Sequence, residues 1–101
     1  MYCSIIIVLF KIKRKNTILF KNNTIPKIEL KDHVGNLILS IEHDAPYLAI
    51  WSPPGPFICI EPWWGLPDFE NHDKNLKNKT GIIKLLEGKE NTHEWSIIIA
   101  Q

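Results

Sequence analysis

The run Cys59-Ile60-Glu61-Pro62-Trp63-Trp64-Gly65-Leu66-Pro67-Asp68 gathers the residues best suited to chemistry in this sequence. A carboxylate closes an apolar stretch, and two tryptophans follow it. A glutamate at the end of a buried strand, flanked by aromatic rings, loses hydration. Desolvation disfavours the charged form of such a carboxyl and brings its proton exchange toward neutrality, where it can serve as a general base or acid. Indole faces in turn suit the apolar faces of a sugar ring. The pattern points to acid–base chemistry on a carbohydrate, or to its binding. The commoner arrangement of these residue types is plainer: a strand-end carboxylate at Glu61, with Trp63 and Trp64 as core.

The elements that must position this run are strands. Apolar segments along the chain are short, rich in Ile, Leu and aromatics, and separated by polar or Gly/Pro breaks, which is how an all-β domain reads. Strands are expected at 4–10, 17–20, 27–31, 36–42, 47–51, 56–60, 81–85 and 92–99. In Leu37-Ile38-Leu39-Ser40-Ile41-Glu42 the odd positions are apolar and Ser40 and Glu42 fall on the other face, the pattern of a half-buried antiparallel strand. Val34-Gly35-Asn36 carries turn chemistry and predicts a hairpin. Pro53, Pro54 and Pro56 lock φ and remove backbone donors, so 51–57 is expected to be a rigid loop. The stretch 66–80 is polar, with few apolar anchors, and reads as a solvated loop.

At 101 residues the chain has room for one small domain. Apolar residues at 45% and charged residues at 23% match a folded globular protein rather than a disordered one. A formal net charge of +1 supplies no basic field and argues against a nucleic-acid partner. The apolar run from Ile5 to Phe10 is far shorter than the roughly 20 residues of a membrane-spanning helix. Its positive charges, Lys11, Lys13, Arg14 and Lys15, follow the apolar run instead of preceding it as in a signal peptide. A cytoplasmic protein without a membrane partner is the expectation. Cys3 and Cys59 lie far apart and imply no disulfide framework, and neither has a sequence-local histidine to activate it. Asn71, His72 and Asp73 are adjacent in a polar loop and lack the spacing of metal ligands, so no metal is expected.

The segment 47–68, with its tyrosine-to-tryptophan strand, proline loop and Glu-Pro-Trp-Trp-Gly run in order, resembles the C-terminal region of the aldose 1-epimerase (galactose mutarotase) family, particularly its LacX-like branch. The resemblance extends from about Thr17 to the closing Trp95-Ser96-Ile97-Ile98-Ile99 strand. It implies an antiparallel β-sandwich of the galactose mutarotase type, with residues 1–16 a divergent or read-in N-terminal segment and 17–101 the C-terminal part of such a domain. Members of that family interconvert the α and β anomers of an aldose without metal or organic cofactor. A glutamate takes the proton of the C1 hydroxyl while a histidine protonates the ring oxygen. By this resemblance Glu61 is the base, and Trp63, Trp64 and Asp68 line the sugar site.

The chain departs from the family in length, and the family's catalytic histidines belong to strands upstream of the matched region. His33, His43, His72 and His93 are therefore not assigned the acid role. The expectation is a segment lacking its acid, inactive alone, that self-associates or pairs with an upstream fragment. The alternative is a carbohydrate-binding or merely structural β-domain without turnover.

Overall fold

Lys27-Ile28-Glu29-Leu30-Lys31 alternates charged and apolar residues, so an extended backbone places Ile28 and Leu30 on one face and three charges on the other. The computed structural model, which describes residues 4–8, 17–21, 25–53 and 57–101, builds an all-β fold on this alternation. Its strands are β1 (Ser4–Val8), β2 (Ile18–Phe20), β3 (Lys27–Lys31), β4 (Leu37–His43), β5 (Tyr47–Trp51), β6 (Cys59–Trp63) and β7 (Trp95–Ile99), with one 3₁₀ turn at Leu76–Asn78. They form two sheets, ordered β1-β3-β4-β7 and β2-β5-β6.

The β3–β4 pair is the predicted hairpin. Asp32 closes it: its carboxylate accepts the backbone N–H groups of Val34 and Asn36 at 3.0 and 2.9 Å, and Gly35 supplies a φ of 93°. β4 pairs with β7, β2 with β5 and β5 with β6, all antiparallel. β1 instead runs parallel to β3, Ser4 opposite Lys27 and Val8 opposite Lys31, and departs from the all-antiparallel expectation. The connection between them is long enough for a parallel return and passes through β2 in the other sheet.

Both sheets contribute to one core. Ile28, Leu30 and Ile41 from one sheet meet Leu48 from the other, with Ile25 between strands, and Phe20, Leu39, Ile50 and Ile60 pack around them. Ile28 and Leu48 are the largest side chains withdrawn from water. Complete burial of one such side chain stabilises the fold by about 1.5–3 kcal/mol. On the opposite face of β3, Glu29 lies between Lys27 and Lys31 at 3.8 and 3.5 Å, partly exposed pairs that add little.

Ser40 falls on the face opposite Leu39 and Ile41 as expected and is buried there, between Glu29 of β3 and Ile98 of β7 in register. Two strand expectations are corrected. The strand expected at 56–60 begins at Cys59 and continues through Pro62 to Trp63; β6 is a sheet edge, the position at which a strand tolerates proline. No strand forms at 81–85: the Ile82 N–H bonds back to the Lys79 carbonyl at 3.2 Å and Gly81 takes a φ of 76°, so the chain turns where a strand would extend. Leu9, Phe10, the basic run 11–15, Cys3 and the 54–56 part of the proline loop lie outside the described residues. Among the described residues, no helix is long and apolar enough to cross a membrane.

The chain leaves one sheet and enters the other at a corner fixed by His43. Its Nδ1 accepts the Ala45 N–H at 3.0 Å, so the proton sits on Nε2, which donates to the Ile25 carbonyl at 2.8 Å. Replacing this ring with an apolar one, His43→Leu, leaves two buried backbone groups unpaired. A loss of about 2 kcal/mol or more in unfolding free energy is expected, read from the urea midpoint at unchanged m-value.

Candidate functional site

β6 alternates like any strand: Ile60 turns toward the core, and Glu61 and Trp63 are placed two residues apart on the reverse face. Opposite them on β5 stand Ala49 and Tyr47. The alanine presents only a methyl beside the carboxylate. Trp63 donates its indole N–H to Glu61 Oε2 at 3.0 Å, which fixes one carboxylate oxygen and the ring together. Among the described residues the other oxygen carries no hydrogen bond. Trp63 and Trp64 are half-buried and lie outside the core cluster, so the plain reading of these two rings as core is corrected.

Trp64 follows the strand and is tied to the other sheet. Its indole N–H donates to Asp44 Oδ1 at 2.8 Å, and its ring stacks on His93 with centroids 4.8 Å apart and planes tilted by 34°. Asp44 itself is anchored at the start of β7, where its backbone N–H donates to the Glu94 carbonyl at 3.3 Å.

An open cleft of about 670 Å³ runs beside the two tryptophans. Trp63, Trp64 and Leu66 form one wall, and Lys79, Ile82 and Ile83 the other. Gly81 brings the second wall down onto Tyr47, and a methyl at its Cα would lie 2.9 Å from Tyr47 Oη. Glu61 is reached through Trp63 and is not itself part of the wall. Asp68 belongs to a neighbouring depression of about 520 Å³ in the 66–80 loop. It pairs at 3.0 Å with Lys79, which, like the adjacent Pro67, borders both spaces. The hydrogen bond and charge of Lys79 hold the Asp68 carboxyl below its ordinary pKa.

The structure thus brings Glu61, Trp63 and Trp64 together and sets Asp68 one ion pair away. Sequence reasoning missed Tyr47, Asp44, Lys79 and His93. Their approach depends on strand register and on the long return from β6 to β7, and neither leaves a local pattern in the sequence. The 66–80 loop is solvated as expected but internally ordered, with Asp73 accepting from the Asn75 N–H and the Asn78 amide, both at 2.8 Å. Cys59 is a free, half-buried thiol opposite Trp51. Among the described residues, no three His, Cys, Asp or Glu side chains form a metal-ligand group. Comparison with protein-family models, with curated proteins and with solved structures gives no match to the chain.

Gly81→Ala forces a left-handed backbone on a residue with a side chain and drives a methyl against Tyr47. It is expected to cost about 1–2 kcal/mol for the backbone alone and to open the cleft wall, seen as a changed Trp fluorescence maximum. A carboxyl held below its unfolded pKa stabilises the fold above that unfolded value and loses the effect as pH falls through the folded one. The Asp68–Lys79 contact is therefore kept above about pH 4 and released in acid. A carboxyl-carbon NMR titration of Asp68 is expected to show a depressed midpoint that returns toward the ordinary value in Lys79→Met.

Proposed function

We propose that this chain is a carbohydrate-binding β-domain of the aldose 1-epimerase kind, in which an aldose ring stacks on Trp63 and Trp64 and the Glu61 carboxylate, at the family's base position, accepts a hydrogen bond from its anomeric hydroxyl. The observation that carries the proposal is the bond from Trp63 Nε1 to Glu61 Oε2 beside an open, aromatic-walled cleft. An indole clamped to a carboxylate presents the two surfaces an aldose offers partners for: an apolar face for stacking, and an acceptor oxygen for a hydroxyl. Two sheets on a shared core are compatible with the galactose mutarotase type of antiparallel β-sandwich. A cytoplasmic setting, a small aldose as partner and no cofactor go with this proposal.

Ring opening needs a proton donor at the ring oxygen as well as a base at the C1 hydroxyl. No histidine is among the described residues that line the cleft, an observation that favours binding without turnover by this chain alone.

Titration of galactose and of glucose against tryptophan fluorescence tests the binding. A saturable change is expected, weakened about tenfold or more in Trp63→Ala, the equivalent of about 1.4 kcal/mol. Glu61→Gln is expected to retain binding. Polarimetry on the same samples reads mutarotation: a rate above the buffer rate that vanishes in Glu61→Gln supports the base role, and an unchanged rate removes Glu61 from it. Absence of any saturable change with either sugar overturns the proposal.

A further inference from the structure

The outer edge of β7 is unlike the rest of the molecule. Trp95-Ser96-Ile97-Ile98-Ile99 carries no charge and no proline, lies at the end of its sheet, and is exposed along its whole length. Sheet edges are ordinarily blunted by lysines, prolines, bulges or a covering segment, because an open row of backbone groups pairs readily with another strand. None of these devices is present in β7.

Its hydrogen-bond register says which groups are open. The Ala100 N–H donates to the Ile38 carbonyl and the Asp44 N–H to the Glu94 carbonyl, so the even-numbered residues of this stretch bond to β4. By antiparallel alternation, the N–H and C=O groups of Trp95, Ile97 and Ile99 point away from β4. Among the described residues nothing bonds to them. The side chains of the same three residues lie on the sheet face that holds the core, opposite His43, Ile41 and Leu39 in register, yet they remain 57%, 49% and 65% exposed. The second sheet does not extend over them.

We propose that β7 pairs antiparallel with β7 of a second copy of this chain, about a twofold axis through Ile97, joining the two four-stranded sheets edge to edge. The strand is self-complementary in this arrangement. Ile97 meets Ile97 of the second copy, and Trp95 meets Ile99, so every outward N–H and C=O of the three residues finds a partner. The two Glu94 side chains fall at opposite ends, each beside Ala100 of the other copy, and no like charges are opposed. A twofold contact of this kind is closed and stops at two copies.

The area sets the strength. Trp95, Ile97, Ile98 and Ile99 are each about half uncovered. The few hundred Å² they can bury per copy fall short of the roughly 800 Å² per partner of a standard stable interface and place the contact among weak, transient ones. The expected dimer is reversible and forms with increasing concentration.

Sedimentation equilibrium of the full chain over a broad concentration range tests this. A reversible rise from one to two chain masses, with no larger species, is expected. Ile97→Pro removes an outward N–H without removing a bond to β4, and Ile97→Lys sets two ammonium groups face to face; each is expected to leave a monomer at concentrations where the wild type is dimeric. Ser96→Thr, on the opposite sheet face, is expected to dimerise as the wild type does. Circular dichroism melts identify any variant that has not folded. A wild type that stays monomeric overturns the proposal, as does open-ended assembly, or a folded Ile97→Pro that still dimerises.

Discussion

The fold turns on the corner between β4 and β5, where the chain passes from one sheet to the other within Asp44, Ala45 and Pro46. A corner between layers is hard to bury, because its backbone groups have left one ladder and not yet joined the next, and each unpaired group costs about 1–3 kcal/mol. Here His43 solves the problem with a single ring that accepts from Ala45 and donates to Ile25. The His43 N–H meets the Pro26 carbonyl, and the Asp44 N–H meets the Glu94 carbonyl. Ala45 has no side chain beyond a methyl and is completely buried. With the corner fixed, Leu48 enters the core against Ile28, and Tyr47 and Ala49 face the other way, under Trp63 and Glu61. The same corner supplies Asp44, whose carboxylate reaches Trp64.

Much of this architecture was legible in the residues. β3 and β5 have the expected bounds because the first is a short alternating run and the second a short apolar one closed by proline-bearing breaks. The Asp32-to-Asn36 turn needs nothing beyond local hydrogen bonds and one glycine, so it too was readable. The segment 81–85 was not, because Ile82, Ile83 and Leu85 look like a strand when taken alone. A strand also needs a neighbour with free ladder groups, and a turn from Lys79 to Ile82 aims this chain across Tyr47 instead. The parallel β1 was equally hidden, since strand direction is decided by a long connection and not by composition.

At the site, the residue types were legible and their company was not. Glu61, Trp63 and Trp64 are close in sequence, and strand periodicity alone predicts that the first two share a face. Which face, and what covers it, depends on β5 lying antiparallel with Tyr47 opposite Trp63. Asp44 is 20 residues from Trp64, and His93 is 29 positions further along the chain than Trp64 (93 − 64). No local pattern announces contacts at that separation. Asp68, read as part of the same run, follows the cleft-lining Gly65, Leu66 and Pro67 but turns into the neighbouring depression, where it pairs with Lys79.

Glu61 and Trp63 sit on β6, and the open apolar row sits on β7, so the features with chemical or associative potential lie on edge strands, beside the interior strands β5 and β4. This division has a physical basis. An interior strand spends both rows of backbone groups on its neighbours and its apolar face on the core, leaving little to offer a ligand. An edge strand keeps one row free and has side chains half in water, where a ring can stack or a strand can add. Trp64 connects the two edges: it leaves the end of β6, donates to Asp44, and stacks on His93, two residues before β7 begins. The aromatic wall of the cleft is therefore held in part by the segment that leads into the open strand, so the position of Trp64 follows the position of β7 against β4.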